Sequence, residues 1–188
     1  MKIGIAGTHS VGKTTLLNAL RSESCFKDFA ICDEVTRQVR ALGLSINESG
    51  NDNTQRIIML KHIENLMLHD NMITDRTALD CLVYSRYLWG KNNITDETFS
   101  IIHKLFLKIW SMYDLVFFIE PEFDLVPDGV RSVDEDFRNV VHKEFVNTIA
   151  ELKLYKDNLH YLKGSVVSRV QQVMSVYERV QHGGYGKV

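Results

Sequence analysis

The 188-residue sequence has no apolar stretch approaching the ~18 residues that a membrane-spanning helix needs, so no span is expected. Its three cysteines, Cys25, Cys32 and Cys81, are scattered with no C-x-x-C spacing. That excludes a disulfide framework and a cysteine-rich zinc site, and it predicts reduced thiols in a cytoplasmic setting. Charge of one sign is also missing: 22 basic against 24 acidic residues leave a net charge of −2, too little for a global attraction to nucleic acid or anionic lipid. No internal repeat is present, and no leader-like pattern precedes the first apolar run. The one biased stretch is the glycine-rich end, which predicts a flexible tail over residues 182–188 after a single domain spanning 1–181.

What is present is concentrated at the start. Ile3 to Ala6 reads as a short buried strand, and 15–20 continues as helix with Leu16, Leu17 and Leu20 on one side. Between them stand Gly7, Thr8, His9, Ser10, Val11, Gly12, Lys13 and Thr14, followed by Thr15, which fit G-x-x-x-x-G-K-[ST]. Glycine at 7 and 12 lets successive backbone N–H groups turn inward as an anion nest, and the following helix adds its positive end. Lys13 is placed for β- and γ-phosphates, and the Thr14 hydroxyl for Mg²⁺.

Further along, apolar runs at 29–32, 71–74, 115–119 and 160–162 read as strands. Helical patterns lie between them. One follows Asp33, Glu34 and Arg37 and stops at Gly43. Another starts near Asp52 or Asn53, with Ile57, Leu60, Ile63 and Met67 predicted inward. Residues 78–89 form a third, Thr95 caps a fourth carrying Phe99, Ile102, Phe106, Ile109 and Tyr113, and a fifth runs from about 134 to 154. Val166, Val170, Val173, Tyr177 and Val180 mark the last. Strands alternating with helices predict an α/β fold, a five-stranded parallel sheet with helices on both faces and ligands at the carboxyl ends of the strands.

Polar residues fall at those ends. Asp75 closes the third strand as a Walker-B-type carboxylate would, opposite Thr14 and able to hold Mg²⁺ through water, with Arg76 toward a phosphate. Asp33, with Glu34 and Arg37, makes an acceptor side: Asp33 as a base for an attacking hydroxyl, Glu34, Arg37 and Arg76 as substrate contacts. Arg131 and Arg138, seven apart in a polar stretch, predict a helical lid over 124–138 that brings guanidinium groups to the transferring phosphate. His9 is a candidate nucleotide contact, the other histidines read as surface or satisfied residues, and Met59 and Met67 as core.

The phosphate loop from Gly7 to Leu16 resembles that of the AAA-type P-loop kinases, the group that includes the nicotinamide riboside kinase domain and many phage proteins. Residues 128–138 are similar to that family's lid, and Gly164, Ser165 and Arg169 to its final loop near the nucleotide base. The resemblance implies strand order 2-3-1-4-5, with ATP and Mg²⁺ as cofactors and Arg169 among the nucleotide-binding residues. Asp75 and Arg76 are placed as in thymidylate and deoxynucleoside kinases. The expected activity is transfer of the γ-phosphoryl group of ATP to a nucleoside or nucleotide. The alternative within that group is the hydroxyl of a hydroxymethylated pyrimidine in DNA, against which the low net charge weighs. A nucleotide-gated NTPase or switch is the alternative of another class, and the absence of an N-K-x-D guanine signature counts against it. A homodimer is compatible with all three.

Overall fold

A computed structural model describes residues 1–122, 135–156 and 158–183. Its centre is a sheet of five parallel strands in the order β2-β3-β1-β4-β5: β1 Lys2–Ala6, β2 Ala30–Cys32, β3 Met72–Asp75, β4 Leu115–Ile119 and β5 Leu159–Leu162. The central strands are continuous apolar runs because both sheet faces are covered, and β4 is buried at every position. The outer strands β2 and β5 are only partly buried. Register is continuous across the middle, with Ile5 opposite Asp75 in β3 and Phe117 in β4. The carboxyl ends of β1 and β3 are therefore level.

The described residues form helices α1 Lys13–Arg21, α2 Val35–Ala41, α3 Asp52–Leu68, α4 Ala78–Gly90, α5 Asp96–Ile109, α6 Glu135–Glu151 and α7 Val166–Gln181. Two cores result, one on each sheet face. Alternate strand residues Ile3, Ile5, Ile73, Leu115, Phe117 and Ile119 pack against Leu16, Leu17 and Leu20 of α1 and Val173 and Val176 of α7. The opposite face, with Met72, Val116 and Phe118, takes the larger layer from α2 to α6. Strand alternation thus sorts side chains to the two faces.

The caps explain where the helices begin. Thr95 accepts from the Thr98 backbone N–H at 3.2 Å, as its sequence position suggests. For α3 the cap is Asn51, not Asp52 or Asn53: Asn51 Oδ1 accepts from the Thr54 N–H at 3.1 Å. Asp52 instead takes both the N–H and the hydroxyl of Thr95 at 2.9 Å, joining the starts of α3 and α5.

The inward face of α3 differs from the expectation. Ile58, Met59, His62 and Leu66 are buried, whereas Leu60 is 59% and Met67 65% exposed. Apolar residues lie on both sides of this helix, so their spacing does not select a face. Packing against α2, α4 and α5 selects it, and carries His62 inward with the apolar residues. At the end of α5 the chain tightens into a 3₁₀ turn, Trp110–Met112, and Tyr113 lies buried beyond the helix. No helix among the described residues is long and apolar enough to cross a membrane.

Candidate active site

The loop between β1 and α1 is shaped by backbone that side chains resist. Gly7 has φ +140° and Gly12 φ +89°. A Cβ on Gly7 would lie 2.5 Å from the Ile119 carbonyl oxygen, and one on Gly12 would lie 3.1 Å from the Arg169 guanidinium. Both positions need glycine for conformation, and Gly7 needs it for space as well. Lys13 folds over this loop, and its Nζ donates to the carbonyl oxygens of Gly7 at 2.7 Å and Thr8 at 2.6 Å. Burial, aided by the positive charge of Arg76, lowers the Lys13 pKa to about 8. An anion arriving in the loop would offset that desolvation and hold the ammonium charged. Within the loop, Val11 is buried, Ser10 has φ +58° with a buried hydroxyl, and Thr15 is exposed on the first turn of α1.

Across the sheet, the Thr14 hydroxyl donates to Asp75 Oδ2 at 2.5 Å. Asp75 is fully buried, and its Oδ1 has no hydrogen-bond partner among the described residues. A hydroxyl beside a carboxylate with one oxygen to spare is a donor set for a hard, oxygen-seeking cation, so these residues fit Mg²⁺. Among the described residues there is no group of three or more His, Cys, Asp or Glu that could form a protein-only metal site. Any cation here would therefore share its ligands with a phosphate and water.

On the other side of Asp75 the chain turns through Arg76 at φ +77°, a left-handed conformation costly for a long side chain. The turn buries the guanidinium at the end of β2. Arg76 Nε donates to Glu34 Oε1 at 2.7 Å, Arg76 Nη1 lies 3.6 Å from Asp80 Oδ1, and the group sits 5.3 Å above the Tyr84 ring. Burial opposes its charge, but Glu34, Tyr84, Asp80 and Asp75 outweigh that and raise its pKa well above the ordinary value. Arg37 joins from α2, with Nε donating to Glu34 Oε2 at 3.1 Å.

Glu34 is 5% exposed, while its neighbour Asp33 is exposed. Strand β2 ends at Cys32 and α2 begins at Val35, so both carboxylates lie in the connecting turn, where Glu34 is buried against Arg76 and Asp33 reaches solvent. Asp33, expected as a base, is thus the exposed member of the pair, and Glu34 is the buried one.

Sequence reasoning missed Asp80. It closes a capping box at the start of α4, accepting the Thr77 N–H at 2.9 Å, and its other oxygen faces the Gly7 N–H at 3.4 Å and Arg76. Burial raises its pKa against the opposing charges of Lys13 and Arg76. The T-x-x-D spacing from Thr77 to Asp80 was the available signal, readable as a helix start but not as a link between two binding regions.

Two other expected residues occupy supporting positions. His9 is 1% exposed, with Nδ1 3.3 Å from the Tyr84 hydroxyl and its ring stacked 5.3 Å from Phe137 of α6. Arg169 is also 1% exposed and lies under the loop, donating from Nη1 to the Val11 carbonyl at 2.7 Å, with Nη2 3.5 Å from Glu122. Its partners include the loop backbone and an acid. Arg138 lies on α6, 4% exposed and 3.3 Å from Glu135. Arg131, with residues 124–134 of the lid assigned to 124–138, and residues 184–188 of the tail fall outside the described residues.

This parallel sheet, its strand order and the lysine-bearing glycine loop at the end of β1 define a P-loop protein of the kinase fold. The chain belongs to the AAA domain family, whose model matches residues 2–169. No curated protein matches it.

Among solved structures, deoxyadenosine kinase from M. mycoides with dCMP and a flexible dCDP bound superposes with a TM-score of 0.70, covering 96% of this chain and 100% of that one at 15% identity. NadR protein in complex with NR gives 0.72 at 19% identity, covering 98% of this chain and 52% of that one, so the chain spans about half of NadR. YorR protein from Bacillus subtilis, in complex with phosphorylated GDP, gives 0.62 at 14% identity, with 97% and 98% covered. At these identities the likeness is one of fold.

Proposed function

We propose that the chain is an ATP-dependent kinase that transfers the γ-phosphoryl group to a hydroxyl of a nucleoside. The observation that carries this reading is Glu34, a buried carboxylate held at the strand ends by Arg76 and Arg37. A hydroxyl is a poor nucleophile and must lose its proton as phosphorus is attacked. Glu34 is the group to accept it, while the two arginines fix its orientation. A phosphate acceptor would need a free cation rather than a base, and Glu34 already engages both Arg37 and Arg76. The neighbours solved with dCMP, NR and phosphorylated GDP are consistent with an acceptor of nucleoside type.

The donor nucleotide lies on the loop from Gly7 to Thr15. The backbone N–H groups and Lys13 hold its phosphates, and Thr14 with Asp75 holds Mg²⁺, which when bound neutralises charge on the phosphate oxygens. Asp80 touches both halves of the site, through Gly7 and through Arg76. Arg138 and, in the lid, Arg131 remain candidates for steadying the transferring group. Duplex DNA is the weaker acceptor, because a net charge of −2 supplies no general attraction to a polyanion.

The test is a transfer assay with γ-labelled ATP and Mg²⁺ against nucleosides, nucleoside monophosphates and hydroxymethylated DNA. Label on a nucleoside supports the reading. Label only on monophosphates or only on DNA overturns the acceptor, and acceptor-independent hydrolysis alone overturns the kinase.

A further inference from the structure

Asp80 and Tyr84 stand four residues apart on α4, one turn along the same face. Each meets the phosphate loop on one side and Arg76 on the other. Asp80 does so through the Gly7 N–H and the guanidinium, and it also caps its own helix. Tyr84 lies inside α4 and has no capping duty.

Tyr84 is 7% exposed, and its hydroxyl lies 3.3 Å from His9 Nδ1. Burial pushes the phenol pKa up, against the charge of Arg76 and hydrogen bonds with Arg76 and Thr8, so the group is protonated at physiological pH. A phenol has one proton to give and lone pairs to receive, whereas a guanidinium only donates. The oxygen therefore accepts on the Arg76 side, and its proton is left for the loop. The ring works toward the same cation, with the guanidinium 5.3 Å above its centre, a favourable arrangement for a desolvated charge. Arg76 in turn donates to Glu34 at 2.7 Å. A continuous path runs from the loop through Tyr84 and Arg76 to the carboxylate assigned as base.

The loop end of that path answers to the donor. Lys13 Nζ donates to the Gly7 and Thr8 carbonyls. A triphosphate competes for that ammonium and draws the loop N–H groups toward its oxygens. Thr8 and His9, the two loop residues that meet the Tyr84 hydroxyl, are thus the ones whose surroundings change as the loop fills.

We propose that Tyr84 is a positioning residue that couples the two halves of the site: its hydroxyl ties the phosphate loop to Arg76, so that a donor triphosphate steadies the Arg76–Glu34 pair and tightens binding of the acceptor. This rests on the nucleoside-kinase reading above. By linkage the acceptor tightens the donor by the same factor.

The experiment uses the full chain. The acceptor is whichever of the common ribonucleosides and 2′-deoxynucleosides takes most label from γ-labelled ATP. Its Kd is measured by calorimetry alone and with saturating AMP-PNP and Mg²⁺, and the ratio of the two is the coupling. Hydrogen exchange of amides 34–40 with and without AMP-PNP reads the same link with no acceptor present. Tyr84→Phe keeps the ring over Arg76 and removes only the oxygen; thermal melting, expected about 2–6 °C lower, reports its folding. His9→Phe keeps a ring against Phe137 and cuts the link at its other end, with Thr8 remaining.

The expected wild-type ratio is about fivefold or more, with exchange over 34–40 slowed by AMP-PNP. In Tyr84→Phe the ratio falls toward one and the slowing is lost, while AMP-PNP alone binds within about threefold of wild type. His9→Phe lowers the ratio less. A side chain that only filled space would change the melting temperature and leave the ratio as it was. A wild-type ratio of one overturns the proposal, as does a wild-type ratio kept in folded Tyr84→Phe. If only His9→Phe folds, an unchanged ratio in that protein overturns it equally. No transfer to any nucleoside overturns the nucleoside-kinase reading, and the exchange comparison then decides the role of Tyr84 by itself.

Discussion

Replacing Glu34 by Gln separates two roles that the same carboxylate fills. Structurally it is the counter-charge of a buried guanidinium, at 2.7 Å from Arg76 Nε with both side chains 5% exposed. Breaking such a pair by deleting one partner costs about 3–5 kcal/mol. Gln keeps an oxygen to accept that hydrogen bond, and Asp80 stays 3.6 Å from the same guanidinium, so the loss here falls to about 2–3 kcal/mol. For a chain of this length that is a fall in melting temperature of about 4–12 °C. Chemically, the amide cannot take a proton, and loss of a general base lowers kcat by about 10²–10⁴-fold while ATP affinity is retained. Asp33→Asn is the internal control, because Asp33 is exposed and its replacement stays within about 0.5 kcal/mol of wild type with unchanged turnover. Urea unfolding and steady-state kinetics on the same preparations supply both numbers. If E34Q loses stability but keeps turnover within about threefold, Glu34 is a structural counter-ion only and the base lies elsewhere. If Asp33→Asn carries the kinetic loss, the orientation of the β2–α2 turn described above is wrong.

Lys13→Ala removes the ammonium that caps the loop carbonyls; the expectation is native circular dichroism with ATP binding by calorimetry weakened at least about 100-fold, and near-normal binding would move the phosphate site away from this loop. Arg169→Met keeps bulk but leaves the Val11 carbonyl without its 2.7 Å donor, so it is expected to lose about 1–3 kcal/mol in urea and to weaken ATP binding, whereas a change under about 0.5 kcal/mol would show that the loop does not depend on that bond. His62 has a lower pKa folded than unfolded, about 3 against 6.5, so the unfolded chain takes up a proton first and stability falls as pH drops below 6.5. Between pH 6 and 5, His62→Phe should lose less stability than wild type, by up to about 1.4 kcal/mol per pH unit, and parallel slopes would refute the buried, neutral state of this ring.

Strand existence was legible because both faces of the central sheet are covered, and covered strands are written as unbroken apolar runs such as Leu115–Ile119. The phosphate loop was legible because its glycines and lysine answer to local backbone geometry. The inward face of α3 was not, since apolar residues occupy both of its sides and only contact with the rest of the fold chooses between them. The choice between Asp33 and Glu34 was equally hidden: adjacent residues in a turn point apart, and one residue of uncertainty exchanges them. Asp80 acquires meaning only when the start of α4 meets the phosphate loop and Arg76, a meeting no local pattern records.

The bond from Arg169 to Val11 spans 158 positions of sequence, and this has a consequence for how the protein comes into being. On a ribosome moving at about 5–20 residues per second, the glycine loop is made about 10–30 s before the side chain that supports it. Strand β1 also waits, since its neighbours are β3, ending at Asp75, and β4, ending at Ile119. Strand β1 is thus made well before the partners that complete it. A nascent chain that stops short of α7 carries the whole nucleotide motif in its sequence and lacks the buttress beneath it. The phosphate loop is completed only after α7 has been made, because the loop that follows β1 is held by a side chain of α7.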